Sequence, residues 1–199
     1  MCNLYRLTTN VEAIRRLFAV TGASRFANLP DFPEIYPNRD APVIRASADG
    51  ERELAIMRWG FPAPQAAARP VTNVRNLAST FWRTALSRPD RRCLVPVAAF
   101  CEWEGETGSK RKVWFAMSDG EPFAFAGVWR PTPEGDRMAF LTCEPNATVA
   151  AVHPKAMPVV LATDKYGQWL SDPYASVCAL AVPHPEGRLV RVGEPVADR

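Results

Sequence analysis

The sequence has none of the long hydrophobic runs that mark a membrane or secreted protein. No apolar stretch approaches the roughly 20 residues that a helix needs to cross a bilayer. The residues that open the chain, 1–6, carry neither the basic segment nor the apolar core of a secretory signal. We therefore expect a cytoplasmic protein with no membrane partner.

Paired cysteines and clustered histidines are equally scarce. The five cysteines, an odd number, contain no C-x-x-C pair, and the two histidines are His153 and His184. This composition argues against a disulfide framework and against a zinc site. No metal or other cofactor is expected, and most of the cysteines are interpreted as small buried apolar residues.

Positive charge is in small excess, with a net charge of +3 and an isoelectric point near 8.7. The excess is concentrated in the segment 69–92, where six arginines stand against one acidic residue, Asp90, and lie among Phe81 and Trp82. These arginines are Arg69, Arg75, Arg83, Arg88, Arg91 and Arg92. Guanidinium groups beside aromatic rings suit a phosphate backbone and unstacked bases. A solvated basic helix face explains the same pattern equally well.

Regular secondary structure is interrupted often, because 19 prolines are spread along the chain. Apolar spacing predicts helices over 11–20, 79–87, 146–152 and 164–170. Short apolar runs predict strands over 54–59, 93–99, 113–117, 123–129, 138–142, 159–161, 177–182 and 189–192. The strands do not alternate regularly with helices. This pattern predicts a single α+β domain over residues 1–199, with a β-rich, antiparallel, barrel-like core and a few short flanking helices.

Cys2 offers chemistry that no internal cysteine can. If Met1 is removed, Cys2 carries a free α-amine beside its thiol, and an α-amine with a pKa of about 7.7–8.0 is partly neutral near pH 7. An aldehyde can condense with that amine to an imine, and the thiol can then close a five-membered thiazolidine ring. The alternative is that a cysteine follows Met1 by chance.

Three further segments carry candidate site residues, each with an ordinary structural alternative. Glu102 ends an apolar run among aromatic residues, where a low dielectric would raise its pKa, although it could equally be an exposed strand end. His153 lies on a proline-flanked loop and suits proton transfer, although a lone histidine is more often structural. Asn73 could hold an amine or a sugar hydroxyl and Arg75 a phosphate, unless both belong to a polar loop.

The order of these segments resembles the SRAP family, the SOS-response-associated peptidases or abasic-site processing proteins. The resemblance begins with the terminal Met-Cys and continues through Trp59-Gly60-Phe61-Pro62 and Asn73-Val74-Arg75. Two longer motifs carry most of it, namely RCLVPVAAFCEW over 92–103 and HPKAMPVVL over 153–161. It therefore covers most of the chain, and it implies the compact α+β fold of that family.

The resemblance also implies an activity. Met1 is removed by the protein's own peptidase activity, and Cys2 then forms a thiazolidine with the ring-opened sugar of an abasic site in single-stranded DNA, which shields the lesion from strand scission. Asn73 would position the amine and sugar, Glu102 would transfer protons, and His153 would assist sugar opening. The residues implied for DNA contact are Arg6, Trp59, Phe61, Arg75 and Thr142. The expected partner is abasic single-stranded DNA, bound by a monomer that is associated with the nucleoid while it holds DNA.

The chain departs from the family pattern at three places. The family begins Met-Cys-Gly-Arg, whereas Asn3 and Leu4 follow Cys2 here, so that Arg6 would supply the basic contact. The residues 76–78 replace Ala-Glu-Thr, and Cys101 replaces an aromatic residue. None of these changes alters a proposed catalytic residue, so they concern DNA affinity and lesion context.

Three other functions fit parts of the sequence. An N-terminal-nucleophile amidohydrolase would also expose Cys2 and use its amine as a base, but no glutamine-binding pattern follows. A non-catalytic single-stranded-DNA-binding module would rely on the basic segment alone. A thiol peptidase would pair Cys101 with His153, although Cys101 and Glu102 are expected on opposite faces of a strand.

Overall fold

The computed structural model describes residues 2–22, 29–63, 70–106 and 108–193. Their strands are β1 (Tyr5–Leu7), β2 (Phe32–Ile35), β3 (Asp40–Ala46), β4 (Arg52–Trp59), β5 (Asn73–Val74), β6 (Arg92–Val97), β7 (Ala99–Glu104), β8 (Arg111–Met117), β9 (Phe123–Arg130), β10 (Arg137–Cys143), β11 (Met157–Pro158), β12 (Val160–Leu161) and β13 (Leu189–Val192). Their α-helices are α1 (Val11–Leu17), α2 (Thr80–Leu86), α3 (Ala147–Ala150), α4 (Tyr166–Ser171) and α5 (Tyr174–Cys178), and 3-10 turns cover Pro89–Arg91 and Thr163–Lys165. None of these helices is long and apolar enough to span a bilayer.

A barrel-like ring of strands forms the centre of the fold. β3 pairs antiparallel with β4 and with β6, β6 pairs with β9, and β9 pairs with β10. β10 closes the ring onto β4, and this pairing is parallel. The α+β class with a β-rich, barrel-like core is therefore confirmed. The parallel pairings of β10 with β4 and β5 are additions to the antiparallel pairing that the sequence predicts.

A second sheet, antiparallel throughout, has the strand order β13-β8-β7-β1-β2 and packs against the ring. Aromatic side chains fill the space between the two. The ring centroid of Tyr5 on β1 lies 5.2 Å from that of Trp59 and 6.0 Å from that of Phe125, and the centroid of Phe100 on β7 lies 5.8 Å from that of Phe125. Such buried, edge-on aromatic pairs fix the position of β1 and β7 relative to the ring.

Glycine is required at two close approaches in the fold. Gly60 has a φ of +112°, and a Cβ there would lie 2.9 Å from Pro70 Cβ, so the turn after β4 tolerates only glycine without strain. Gly127 on β9 lies opposite Cys93 on β6, and a Cβ would lie 2.7 Å from Cys93 Sγ. The absence of a side chain at Gly127 therefore lets β6 and β9 pair without a clash.

Most predicted elements are present with shifted ends, but one strand prediction is wrong. Residues 93–99 are divided between β6 and β7, and the helix over 164–170 starts as a 3-10 turn. The predicted strand over 177–182 is instead the end of α5 and a following turn, because Val177 is buried where α5 packs against α2 and α4. The apolar pattern does not predict β1, β2, β3, β5 or β11, and β5 in particular has two residues that are ordered by their pairing with β10.

Candidate active site

Cys2 is placed by the strand that follows it. β1 pairs with the start of β7, and this brings Cys2 Sγ to 3.5 Å from the carbonyl oxygen of Leu4 and 3.9 Å from that of Cys101. The residue is 1% exposed. Burial raises the pKa of the Cys2 thiol well above its ordinary value, and the negative charge of Glu102 raises it further. The thiol therefore stays protonated at neutral pH.

Asn73 reaches the same place from the other side, on β5. It lies opposite Phe140 of β10 in the parallel pairing. Its Nδ2 donates to the carbonyl oxygen of Cys2 at 3.3 Å and to Thr72 Oγ1 at 2.9 Å. Its buried Oδ1 has no hydrogen-bond partner among the described residues. The amide thus fixes the main chain of Cys2 and keeps one acceptor for an incoming group.

Glu102 lies on β7 in an almost closed environment. Its side chain is 2% exposed, and its Oε1 has no hydrogen-bond partner within the described part of the chain. Burial raises the pKa of this carboxyl group to about 7. Near neutral pH both the acid and the carboxylate are populated, so Glu102 can both donate and accept a proton.

His153 adds a second titratable group beside Glu102. Its Nδ1 lies 3.9 Å from Glu102 Oε2, which is beyond hydrogen-bond distance, and its side chain is 20% exposed. Burial lowers the pKa of His153, and nearby positive charges, including those of Lys155 and Arg75, lower it further. The imidazole is therefore mainly neutral at neutral pH and faces the more open side of the site.

The short helix α3 holds the loop that presents His153. Its capping residue, Asn146, accepts a hydrogen bond from the Val149 amide at 3.0 Å, and Glu186 accepts one from the Ala147 amide at 2.6 Å. The amide of His153 then donates to the Val149 carbonyl oxygen at 2.8 Å. Asn146 is recognisable in the sequence as a helix cap. Glu186 is not recognisable there, because it reaches α3 from a distant part of the chain.

Two of the residues implied for DNA contact lie near this group. Arg75 is about half exposed, and its Nη2 donates to the Lys155 carbonyl oxygen at 2.9 Å and lies 3.5 Å from Glu144 Oε1. Arg75 therefore braces the His153 loop and keeps further N–H donors available. Thr142 on β10 is 4% exposed, and its Oγ1 has no hydrogen-bond partner among the residues described.

Of the other three implied DNA contacts, two are buried where exposure was expected. Trp59 and Phe61, expected to line a groove, are 0% and 1% exposed because the aromatic core takes up both rings. Trp59 Nε1 donates to the carbonyl oxygen of Thr72 at 3.0 Å, so it supports the chain next to Asn73. Arg6 is half-buried, with its guanidinium carbon 4.6 Å from the ring centroid of Trp114.

A contact that the sequence did not indicate fixes the residue after Cys2. Trp103 Nε1 donates to Asn3 Oδ1 at 2.8 Å. Glycine at position 3 could not form this bond, so the departure from the family pattern at Asn3 is matched by a partner on β7. The bond ties the chain next to Cys2 to the strand that carries Glu102.

Cys101 lies apart from the acid–base pair. It packs in a small separate cluster with Leu4, Ala99, Trp114 and other residues, and burial raises the pKa of its thiol to about 11. Its side chain and that of Glu102 point to opposite faces of β7, as strand geometry requires. No group of three or more His, Cys, Asp or Glu side chains within the described ranges could hold a metal ion.

Fold and site together define a protein whose candidate reactive group is a cysteine at position 2, held between the amide of Asn73 and the buried carboxyl group of Glu102. The family model for the SOS response associated peptidases (SRAP) matches residues 1–197. The chain therefore belongs to the SRAP family, and this membership associates it with the SOS response and with DNA damage.

Solved structures support the fold. A protein from Bordetella bronchiseptica is similar with a TM-score of 0.79 and 26% identity, covering 96% of this chain and 100% of its own. A Bacteroides thetaiotaomicron protein has a TM-score of 0.77 and 17% identity, over 96% and 90% of the two chains. A phage-related protein from Bordetella bronchiseptica has a TM-score of 0.76 and 18% identity, over 99% and 95%. No curated protein matches the chain significantly.

Proposed function

We propose that this protein captures abasic sites in single-stranded DNA by forming a thiazolidine at Cys2 once Met1 has been removed. One observation carries the proposal: an amide and a buried acid converge on Cys2. Asn73 donates a hydrogen bond to the Cys2 carbonyl oxygen at 3.3 Å. Burial raises the pKa of Glu102 to about 7, and Glu102 is close enough to Cys2 to raise the pKa of its thiol. Met1 lies outside the described residues. The peptidase of the family name fits cleavage of the bond between Met1 and Cys2, which frees the amine.

The reaction of an aldehyde with Cys2 is balanced without a cofactor. The abasic sugar opens to an aldehyde, the α-amine adds to its carbonyl carbon, and the resulting hydroxyl group leaves as water to give an imine. The thiol sulfur then adds to the imine carbon, and the thiol proton passes to the nitrogen. The former aldehyde carbon ends with one C–N bond and one C–S bond, and water is the sole leaving group.

Glu102 suits both proton transfers in this sequence. As the neutral acid it protonates the departing hydroxyl group, and the carboxylate that results accepts the proton of the Cys2 thiol. A base is needed at that step because the pKa of the thiol is well above its ordinary value. The neutral imidazole of His153, on the more open side, suits the proton transfer that opens the sugar ring.

The same geometry offers contacts to the DNA. Arg75 suits a phosphate next to the lesion, since it is anchored at Lys155 and about half exposed. Thr142 Oγ1 and Asn73 Oδ1, which have no hydrogen-bond partner in the described part of the chain, suit the sugar hydroxyl groups. Arg6 supplies a further cation, whereas Trp59 and Phe61 contribute from the core by supporting the walls of the site. A covalent adduct shields the lesion from strand scission, and we expect a monomer to be sufficient for it.

A denaturing gel tests the proposal. Untagged protein and Cys2→Ala are incubated with a single-stranded oligonucleotide that contains one abasic site. We expect a shifted band that resists denaturant for the wild-type protein and none for Cys2→Ala. No band, from protein whose mass confirms the loss of Met1, would overturn the proposal. Ammonia release from glutamine would then favour an amidohydrolase, and salt-sensitive binding that survives Cys2→Ser would favour a non-catalytic binding module.

The bond between Trp103 and Asn3 is expected to speed capture by keeping Cys2 in register with Glu102. One hydrogen bond of this kind contributes about 1 kcal/mol, which corresponds to a roughly fivefold change in rate. We expect Asn3→Gly and Trp103→Phe each to slow crosslinking by about this factor. The double variant should be no slower than either single one, because both remove the same bond. Additive losses in a single-turnover rate measurement would exclude a role for the bond itself.

A further inference from the structure

An exposed aromatic ring and an arginine form a second distinctive surface outside the site. Phe81, at the start of α2, is 36% exposed. The guanidinium carbon of Arg130, at the end of β9, lies 4.8 Å from the ring centroid of Phe81 and 4.7 Å from that of Phe61. Trp82 packs edge-on against both phenyl rings, with centroids 4.6 Å from Phe81 and 5.1 Å from Phe61. We call Phe61, Phe81, Trp82 and Arg130 the Phe81 platform.

The charge of Arg130 has no acidic partner among the residues that the structure describes. Within the described ranges its side chain has neither an ion pair nor a hydrogen bond, whereas Arg88 pairs with Asp90 and Arg75 approaches Glu144. A guanidinium group that contacts aromatic rings through its carbon still has N–H donors that can bind an anion. The phenyl ring of Phe81, which is 36% exposed, can contact a nucleobase. Together the two groups match the phosphate and base of one unpaired nucleotide.

The platform lies next to the wall of the candidate active site. Phe61 forms an isolated antiparallel bridge with Val71, two residues before Asn73. Two residues of extended chain span roughly 7 Å, so the bridge joins Phe61 to the segment that leads directly to Asn73. Phe81 and Trp82 of the platform lie within the basic segment 69–92, whose first arginine, Arg69, lies outside the described residues.

We propose that the Phe81 platform binds a nucleotide that flanks the abasic site, with its base stacked on Phe81 and its phosphate on Arg130. This inference rests on the proposed function, because it assigns the path of the same single strand away from Cys2. Stacking and phosphate contacts of this kind do not depend on base identity, so the platform extends the binding site without adding sequence preference. It acts on affinity for the strand and leaves the chemistry at Cys2 unchanged.

Oligonucleotides of different length test the platform separately from the chemistry. The shortest oligonucleotide has only a few nucleotides on each side of the abasic site. A second one is extended by several nucleotides on the 5′ side, and a third by the same number on the 3′ side. We expect extension on one side to tighten wild-type binding to a non-reactive abasic analogue by roughly tenfold. Phe81→Ala and Arg130→Gln should lose this gain, and Phe81→Trp should keep it. Arg130→Lys should lose part of it, because the ammonium group does not stack.

Matched controls and the crosslinking rate make the outcome decisive. Val182→Ala and Arg188→Gln remove an exposed apolar and an exposed basic side chain elsewhere, and both should keep the full gain. Melting temperatures confirm folding, and all variants should crosslink the shortest oligonucleotide, at saturation, as fast as the wild type. An unchanged length dependence in Phe81→Ala and Arg130→Gln would overturn the platform while the proposed function stands. Length-dependent binding without any crosslink would instead support the platform and refute capture at Cys2.

Discussion

Protein that retains any residue in front of Cys2 is expected to form no denaturant-stable complex with abasic DNA. In such a chain the nitrogen of Cys2 belongs to a peptide bond, and its lone pair is delocalised into the carbonyl group. It cannot condense with an aldehyde, and a thiol alone gives a hemithioacetal that reverses on denaturation. We therefore expect the denaturant-stable complex to be lost completely. A change in DNA affinity alone would reduce the amount of complex only in part.

Two proteins with the same short tag provide the comparison, one tagged before Cys2 and one at the other end of the chain. The second should crosslink like untagged protein. Borohydride distinguishes the two possible adducts. The α-amine of the first protein belongs to the first residue of the tag, so it can form only an imine, which needs reduction to survive denaturation. A thiazolidine survives without reductant. A stable band without borohydride, from protein whose mass shows the tag intact before Cys2, would rule out the thiazolidine.

The candidate site could be recognised from the sequence only through the order of its motifs. Cys2, Asn73, Glu102 and His153 come from distant parts of the chain, and no local pattern indicates that they meet. They meet because β1 pairs with β7 and β5 pairs in parallel with β10. A two-residue strand such as β5 has no period to detect, so the placement of Asn73 depends on a tertiary contact.

The burial of individual side chains is harder to predict from the sequence than the identity of the site residues is. Trp59 and Phe61 border a glycine turn, and aromatic residues there suit both a binding groove and a core. The structure buries Trp59 beneath Tyr5 of the second sheet, and it buries Phe61 beside Trp82 of α2. Val177 shows the same limit, since its apolar neighbours fit a strand or a short helix, and packing against α2 and α4 selects the helix. Continuous apolar runs such as β6 and β9 are predictable as strands, because both faces of each strand are buried and nearly every residue is therefore apolar.

Glu102→Gln is expected to stabilise the protein at pH 8. Burial raises the pKa of Glu102 from its ordinary 4.5 to about 7, so the folded state binds a proton that the unfolded chain releases at lower pH. The stabilising effect of this proton is fully present below pH 4.5 and is lost as the pH rises through about 7. The difference in pKa corresponds to about 3 kcal/mol. Glutamine is neutral at every pH in this range, so the stability of the variant should not fall between pH 4.5 and pH 8 for this reason.

The stability gain is expected to come with a large loss of activity, since an amide can neither protonate the departing hydroxyl group nor accept the thiol proton. General acid–base groups of this kind contribute roughly 10²- to 10⁴-fold to a rate. Urea unfolding at pH 4.5 and pH 8, beside single-turnover crosslinking, measures both effects. Glu104→Gln, on the same strand and paired with Arg111, is the matched control and should change stability by less than about 1 kcal/mol. If Glu102→Gln were instead less stable at both pH values, Glu102 would be a structural carboxylate, and the acid–base role would have to pass to His153.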